Sequence, residues 1–277
     1  MTVGILNINK PCGWTSHDVV ARVRRVAGER RVGHAGTLDP LAEGVLPVLV
    51  GRATRLADYI QAQPKTYVAT IALGTATTTD DAEGSVVASA PVPAFDAAVL
   101  EPFRGEIQQM PPAHSALKVD GQRAYAVARR GGAVKLEPRR VMIYDLRILA
   151  EEPLILEVAC SKGTYIRSLA RDIAQALGTV GHLAHLVRTR VGPFLLSTAV
   201  TIDALDFARA LLPPDAAVPE APVLTVAEPD LARVRNGLAI PAPPGLQAPA
   251  VWVYDPEGRL VCLAAADGHS LQPRIQL

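Results

Sequence analysis

Three cysteines in 277 residues, Cys12, Cys160 and Cys262, form no CxxC pair and sit near no cluster of histidines. A disulfide framework and a zinc site are therefore not expected, and a reducing cytoplasm suits the chain. No run of eighteen apolar residues occurs, so no membrane-spanning helix is expected. The opening MTVGILNINKP lacks the charged-then-apolar layout of a signal peptide. The patterns GxGxxG, GxxxxGK(S/T), HExxH and GxSxG are absent, and the six histidines make no ligand-spaced set on one helix. Any catalysis must then come from side chains alone, with no cofactor and no metal.

Charge of one sign is also scarce: 28 basic against 27 acidic residues leave +1. The total gives no warrant for a nucleic-acid partner, so distribution matters more. Basic residues gather at Arg22, Arg24, Arg25, Arg30 and Arg31, then at Arg129–Arg130, Arg139–Arg140, and Arg188 with Arg190. Acids gather elsewhere, at Asp80, Asp81 and Glu83 and at Glu151–Glu152. The ordinary reading is a solvated mixed surface. Most of the clustered cations are arginines, however, which fork onto phosphates better than lysines do.

What is present is apolar material, 49% of the chain, enough for a sizeable core. GILNIN (4–9) reads as a strand. Thr15 or Ser16 can cap a helix with Val19, Val23 and Val26 on its apolar face and Gly28 as its stop. Residues 31–44 read as a glycine-punctuated loop, and 45–51 as a strand that Pro47 confines to an edge or a bulge. TRLADYIQA (54–62) reads as helical. Residues 66–74 alternate, with Tyr67, Ala69, Ile71 and Leu73 on one face. Paired strands are expected at 141–149 and 154–161, then a helix with Ile166, Leu169, Ile173 and Leu177 as its core stripe, a strand over 185–194 and a helix over 201–212. Residues 212–223, rich in proline and alanine, read as a linker, and the following stretch as a small β-rich unit. Strands followed by single helices, without regular alternation, indicate an α+β fold.

The segment richest in chemistry is GHAGTLDPLAEGVL (33–46), where glycine and proline breaks surround one histidine and one carboxylate. Such a loop brings backbone close to a ligand. An isolated Asp-Pro is usually just a turn, but Arg30, Arg31, Arg52 and Arg55 flank this one. The segment resembles the catalytic loop of the TruB family of tRNA pseudouridine synthases. Four other blocks resemble that family's motifs in the same order: NKPCGWTSHDVV (9–20), KTYVATIALGTATTTDDAEG (65–84), MPPAHSALKVDGQRAYAVARRG (110–131) and CSKGTYIRSLARDIA (160–174). The matches span most of residues 5–195. Residues 225–277 resemble a PUA-type RNA-binding domain.

The resemblance implies a pseudouridine-synthase fold with a central mixed, largely antiparallel sheet. It divides the chain into a catalytic domain, 1–215, carrying an RNA-gripping insertion at 104–140, and a PUA-like domain, 224–277. It implies that uridine 55 in the tRNA T-loop is flipped out, because a buried base cannot be reached in place, and is isomerised to pseudouridine. Asp39 is the implied nucleophile, Arg167 its counter-charge and Tyr67 the aromatic that stacks on the base. His34 fills the space the base leaves, Tyr165 is a second site aromatic, and Leu186 lines the base pocket. Lys10, Arg129 and Arg130 are expected to bind substrate. The implied enzyme is a cytoplasmic monomer that needs no guide RNA or protein partner. The sequence departs from the family loop at Ala35 and at Glu43. A carboxylate four residues after Asp39 would disturb it if the two lay close, and Glu43 is expected to point away. Two other readings are a guide-RNA-dependent synthase of the dyskerin type, which would carry longer basic extensions, and a non-catalytic RNA-binding protein, which would lack Asp39 or Arg167.

Overall fold

The computed structural model describes residues 2–112, 118–119, 122–123 and 136–277. The basic pair Arg129–Arg130 and most of the proposed insertion lie outside the described residues. The first strand is β1 (Gly4–Lys10). Helix α1 (Ser16–Ala27) follows, with Thr15 and Asp18 in a reciprocal capping box and Gly28 left-handed at its end. Val19, Val20 and Val23 are its buried stripe.

Next come β2 (Val32–His34) and β3 (Glu43–Val50), a 3-10 turn at Gly51–Leu56, helix α2 (Ala57–Ala62) and β4 (Lys65–Leu73). Strands β5 (Thr75–Thr77) and β6 (Val86–Ser89) form a hairpin, followed by β7 (Gly105–Gln109) and the two-residue strands β8 (Lys118–Val119) and β9 (Gln122–Arg123). The long pair β10 (Arg139–Glu151) and β11 (Leu154–Cys160) leads to helix α3 (Ile166–Ala176), then β12 (Gly181–Val191), β13 (Phe194–Leu195) and β14 (Val200–Thr201). Ten of these strands make one sheet along the path β14-β1-β3-β12-β4-β11-β10-β7, with β2 and β13 added on β3 and β12. The pairings β1–β14 and β3–β12 are parallel and the rest antiparallel. This is the mixed, largely antiparallel α+β sheet expected. Helix α3 seals one face, burying Ile166, Leu169 and Ile173 against β4, β11 and β12 residues such as Ile71, Leu156 and Leu183.

Four local expectations change. Strand β3 is interior: β1 pairs along it, and β12 and β2 share its other side. Pro47 is tolerated because β12 stops at Gly44 and β2 starts at Val48. On the open side its carbonyl accepts from Ala35 N at 2.9 Å, and no strand partner there requires the missing N–H. Residues 32–34, expected as loop, form β2. The helix expected over 201–212 shrinks to Phe207–Ala210, because Leu212 exchanges backbone hydrogen bonds with Ile5, at 2.9 and 2.8 Å, and prolines follow.

The proline-rich stretch 212–223 is strapped down. Trp252 donates from its indole to Val218 O at 3.0 Å and from its backbone to Pro222 O at 2.8 Å, and Tyr254 donates to Asp215. Beyond it lies a five-stranded sheet in the order β15-β17-β18-β19-β16, with β15 (Val223–Thr225), β16 (Ile240–Pro241), β17 (Gln247–Tyr254), β18 (Leu260–Asp267) and β19 (Ser270–Gln276). Trp252 and Leu263 of this sheet share a buried cluster with Ile5, Val45 and Leu49.

Candidate active site

The loop between β2 and β3 carries Asp39, and every part of it is tied to its surroundings. Ser16 Oγ donates to Leu38 O at 3.1 Å and accepts from Leu38 N at 2.9 Å. Gly13 N donates to Pro40 O at 2.8 Å. Lys10 is fully buried, and its ammonium donates to the carbonyls of Pro11, Trp14 and Pro40. Burial lowers its pKa to about 8. Lys10, expected to contact substrate, has its ammonium among three carbonyls, one of them in this loop, and does not line the cleft.

Arg188 on β12 holds the same loop from below. It is 1% exposed, and its guanidinium donates to Val45 O at 2.7 Å, Gly36 O at 3.0 Å and Thr37 O at 3.4 Å. These carbonyls lie on both sides of Asp39 in the chain. The backbone must come close for this to happen. A Cβ on Gly44 would stand 2.3 Å from Arg188 O, and its φ of 104° is one that side chains rarely adopt.

The floor of the cleft is set by sheet register. Tyr67 on β4 lies opposite Arg188 on β12, and Ala69 opposite Leu186. Burial pushes the Tyr67 phenol up in pKa, while the charge of the neighbouring Arg188 pulls the other way. The far wall is the turn at 161–165 and the start of α3. Gln109 fixes Tyr165 at both backbone groups, accepting from its N at 2.7 Å and donating to its O at 3.0 Å.

Arg167, in the first turn of α3, meets Asp39 across the cleft, with NH2 and Oδ2 3.0 Å apart. Asp39 keeps 40% of its side chain exposed, whereas Arg167 is 7% exposed. The other edge of Arg167 is held from behind: NH1 lies 3.3 Å from Asp81 Oδ2 and donates to Thr79 O at 3.2 Å. Asp81 in turn accepts from Glu83 N at 3.0 Å and from the Thr79 hydroxyl. A buried cation is thus fixed by a buried acid and presented to an accessible one.

The cleft holds about 320 Å³. It brings together Asp39, Tyr67, Tyr165, Arg167 and Leu186, all singled out in the sequence. His34 does not line it. The ring sits at the end of β2 with Nδ1 buried and without a partner, and burial followed by the Arg188 charge lowers its pKa. Glu43 makes its contact with His185, at 3.3 Å. Sequence reasoning missed Arg188, Lys65 and Asp81. Arg188 looked like half of a surface pair with Arg190; residues two apart share a strand face, and a register shift between them in the β12–β4 pairing is what separates them. Lys65 is buried in the cleft wall with its ammonium on the carbonyls of Gln61 and Gln63, and burial lowers its pKa to about 8. No group of three or more His, Cys, Asp or Glu among the described residues stands where it could hold a metal ion, and no helix among them is long and apolar enough to cross a membrane.

Comparison with known proteins gives a consistent answer. The family description "TruB family pseudouridylate synthase (N terminal domain)" matches residues 24–166, and "tRNA pseudouridylate synthase B C-terminal domain" matches residues 167–218. The chain is 46% identical over 288 residues to the tRNA pseudouridine synthase B of Thermobifida fusca, covering 99% of this chain and 98% of that one. It is 50% identical over 246 residues to that of Symbiobacterium thermophilum, covering 85% and 82%. Among solved structures it is similar to a chain of a "Cbf5-Nop10-Gar1 Complex", with a TM-score of 0.73 and 30% identity over 99% of this chain and 84% of that one.

Proposed function

Because the chain belongs to the TruB family of pseudouridylate synthases, we propose that the Asp39–Arg167 pair is where it isomerises uridine 55 of the tRNA T-loop to pseudouridine. The enzyme is an isomerase. The N1–C1′ bond breaks, the freed uracil turns, and a C5–C1′ bond forms, while C5 loses a proton and N1 gains one. Nothing is oxidised or hydrolysed.

The observation that carries the reading is an accessible carboxylate, Asp39, held at 3.0 Å by a guanidinium that a second, buried carboxylate fixes in place. Such a carboxylate is placed either to attack the sugar or to assist departure of the base. Tyr67 and Leu186 form the surface on which the flipped uracil lies, and Tyr165 borders it. His34 stands at the end of β2 to fill the gap left in the RNA, as an uncharged ring with a free Nδ1. Lys10 and Arg188 position the Asp39 loop. Residues 1–215 form the catalytic domain, 104–140 the gripping insertion with Arg129 and Arg130, and 224–277 a PUA-like RNA-binding domain.

The chain acts in the cytoplasm as a monomer, on tRNA, without a guide RNA or protein partner. The 46–50% identity to proteins named as tRNA enzymes supports this over the guide-dependent reading, for which the structural likeness carries 27–30% identity. The test is release of tritium from unmodified tRNA labelled at uracil C5, with no protein or guide added. A guide-dependent enzyme releases none.

A further inference from the structure

Most polar side chains around the cleft already have partners. Asp39 meets Arg167, Arg188 donates to three carbonyls, and Lys65 donates to the carbonyls of Gln61 and Gln63. Thr164 Oγ1 donates to Ser161 O at 3.0 Å, and Ser161 Oγ accepts from Met142 N at 2.9 Å. The two tyrosines aside, that leaves Thr37, Gln61 and Lys162. Among the described residues their side chains take part in no hydrogen bond and no ion pair. Thr37 and Lys162 are exposed, so water serves them, whereas Gln61 is half-buried. A half-buried amide without a partner is the costlier group to leave unmatched.

Gln61 is also held in place. It lies near the end of α2, directly after Ile60, which is fully buried. Its backbone carbonyl accepts from the buried ammonium of Lys65. Its stem runs beside Gly36, where a Cβ would stand 4.0 Å from Gln61 Cγ and 3.6 Å from Arg188 NH1. The amide is thus presented from a fixed backbone, next to the loop that carries Asp39. Such positioning lowers the entropy lost when a ligand is bound.

The position indicates which part of the RNA it meets. Tyr67, Arg167 and Leu186 are buried, whereas Gln61, Thr37 and Lys162 are not, so these three mark the rim. A base lying on Tyr67 fills the depth of the cleft, and the RNA chain crosses the rim. There it offers phosphates and ribose hydroxyls. Phosphate oxygens only accept. A phosphate would use the Gln61 N–H groups and set Oε1 against an anion, and the ammonium of Lys162 suits it better. A 2′-hydroxyl both donates and accepts, as does a side-chain amide. We infer that Gln61 binds a ribose 2′-hydroxyl where the T-loop strand enters the cleft, and so helps the enzyme tell RNA from DNA. This rests on the reading of the chain as an enzyme that acts on the tRNA T-arm.

The experiment measures the affinity of wild type and Gln61→Met for four T-arm hairpins. One is all ribose, and the others carry a single 2′-deoxy nucleotide at the target uridine or at the position on either side. Methionine keeps the length of the stem beside Gly36 and removes both hydrogen-bonding functions. On the all-ribose hairpin Gln61→Met binds about three- to tenfold more weakly, the net worth of one neutral hydrogen bond. At one of the three deoxy positions wild type falls to the affinity of the variant, and the variant loses nothing further, which is the coupling expected of groups in contact. At the other two the losses add. A variant as tight as wild type on the all-ribose hairpin overturns the proposal. So does a loss that stays the same on all four hairpins, which would give Gln61 to a base edge or a phosphate. Affinity decides this whether or not the reaction occurs. Failure of the enzymatic reading shows separately, as a wild type that releases no tritium from the all-ribose hairpin.

Discussion

Arg167 faces Asp81 as well as Asp39: its NH1 lies 3.3 Å from an Asp81 carboxylate that is only 3% exposed. The guanidinium therefore faces one acid that is buried and one that is exposed to the cleft. Replacing Asp81 by Asn removes the buried charge while keeping the shape. Arg167 then has one acid left to pair with, and the Asp39 carboxylate is held in a different balance. The single-turnover rate should fall about ten- to a hundredfold, the size of couplings inside one charged network, with tRNA affinity unchanged. Loss of affinity with an intact rate would mean that Asp81 serves RNA binding and not Arg167.

Asp39→Asn should lower turnover by at least about a thousandfold, as expected when a nucleophile is lost. RNA binding should survive, since 40% exposure and one ion pair make Asp39 a small part of the contact surface. A variant that keeps a tenth of the wild-type rate would remove Asp39 from the chemistry.

Arg188→Met would leave the carbonyls of Gly36, Thr37 and Val45 facing an apolar side chain. Buried acceptors without donors cost about 1–3 kcal/mol each, so losing the two closer bonds, to Val45 and Gly36, should lower stability in a urea melt by about 2–6 kcal/mol. Arg188→Lys should restore only part of this, because a single ammonium cannot span Gly36 and Val45 together. A methionine variant as stable as wild type would show that the loop does not depend on this residue.

Lys10 and Lys65 both have their pKa lowered by burial to about 8, from 10.5. Between those values the unfolded chain still holds a proton that the folded chain has lost. Stability therefore rises with pH through this window. The urea midpoint of wild type should increase from pH 8 toward pH 10, and the increase should shrink in Lys65→Met. A midpoint that falls over the same range, or a slope unaffected by Lys65→Met, would contradict the burial of these amines.

Activity on a small T-arm hairpin should persist in excess EDTA, because no ligand cluster or nucleotide-binding loop occurs in the sequence. The hairpin is used so that the folding of whole tRNA does not depend on magnesium. A hairpin rate that returns only when metal is restored would place a cation in the reaction.

Much of this protein was legible before it folded. Periodicity gave α1, β4, the β10–β11 pair and α3, because each buries one face and its apolar spacing records which, although Val26, expected on the buried face of α1, is exposed and Val20 takes its place. Capping chemistry placed the start of α1 at Thr15 or Ser16 and its end at Gly28, and the structure selects Thr15. The loop around Asp39 was legible through its motif, and so was Arg167. Tertiary structure decided what depends on partners distant in sequence. Pro47 lies in an interior strand because β12 and β2 leave its open side without a strand partner. Residues 212–223 are strapped in place because Trp252 donates to two of their carbonyls. In the linear chain Lys10 read as a substrate-binding cation and Arg188 as a surface one. Arg188 is buried under carbonyls of the loop between β2 and β3 and the start of β3, and Lys10 under Pro40 O of that loop together with Pro11 O and Trp14 O of the turn before α1. Local sequence encodes which face of an element is apolar, but where a buried cation finds its acceptors depends on backbone brought together by the whole sheet.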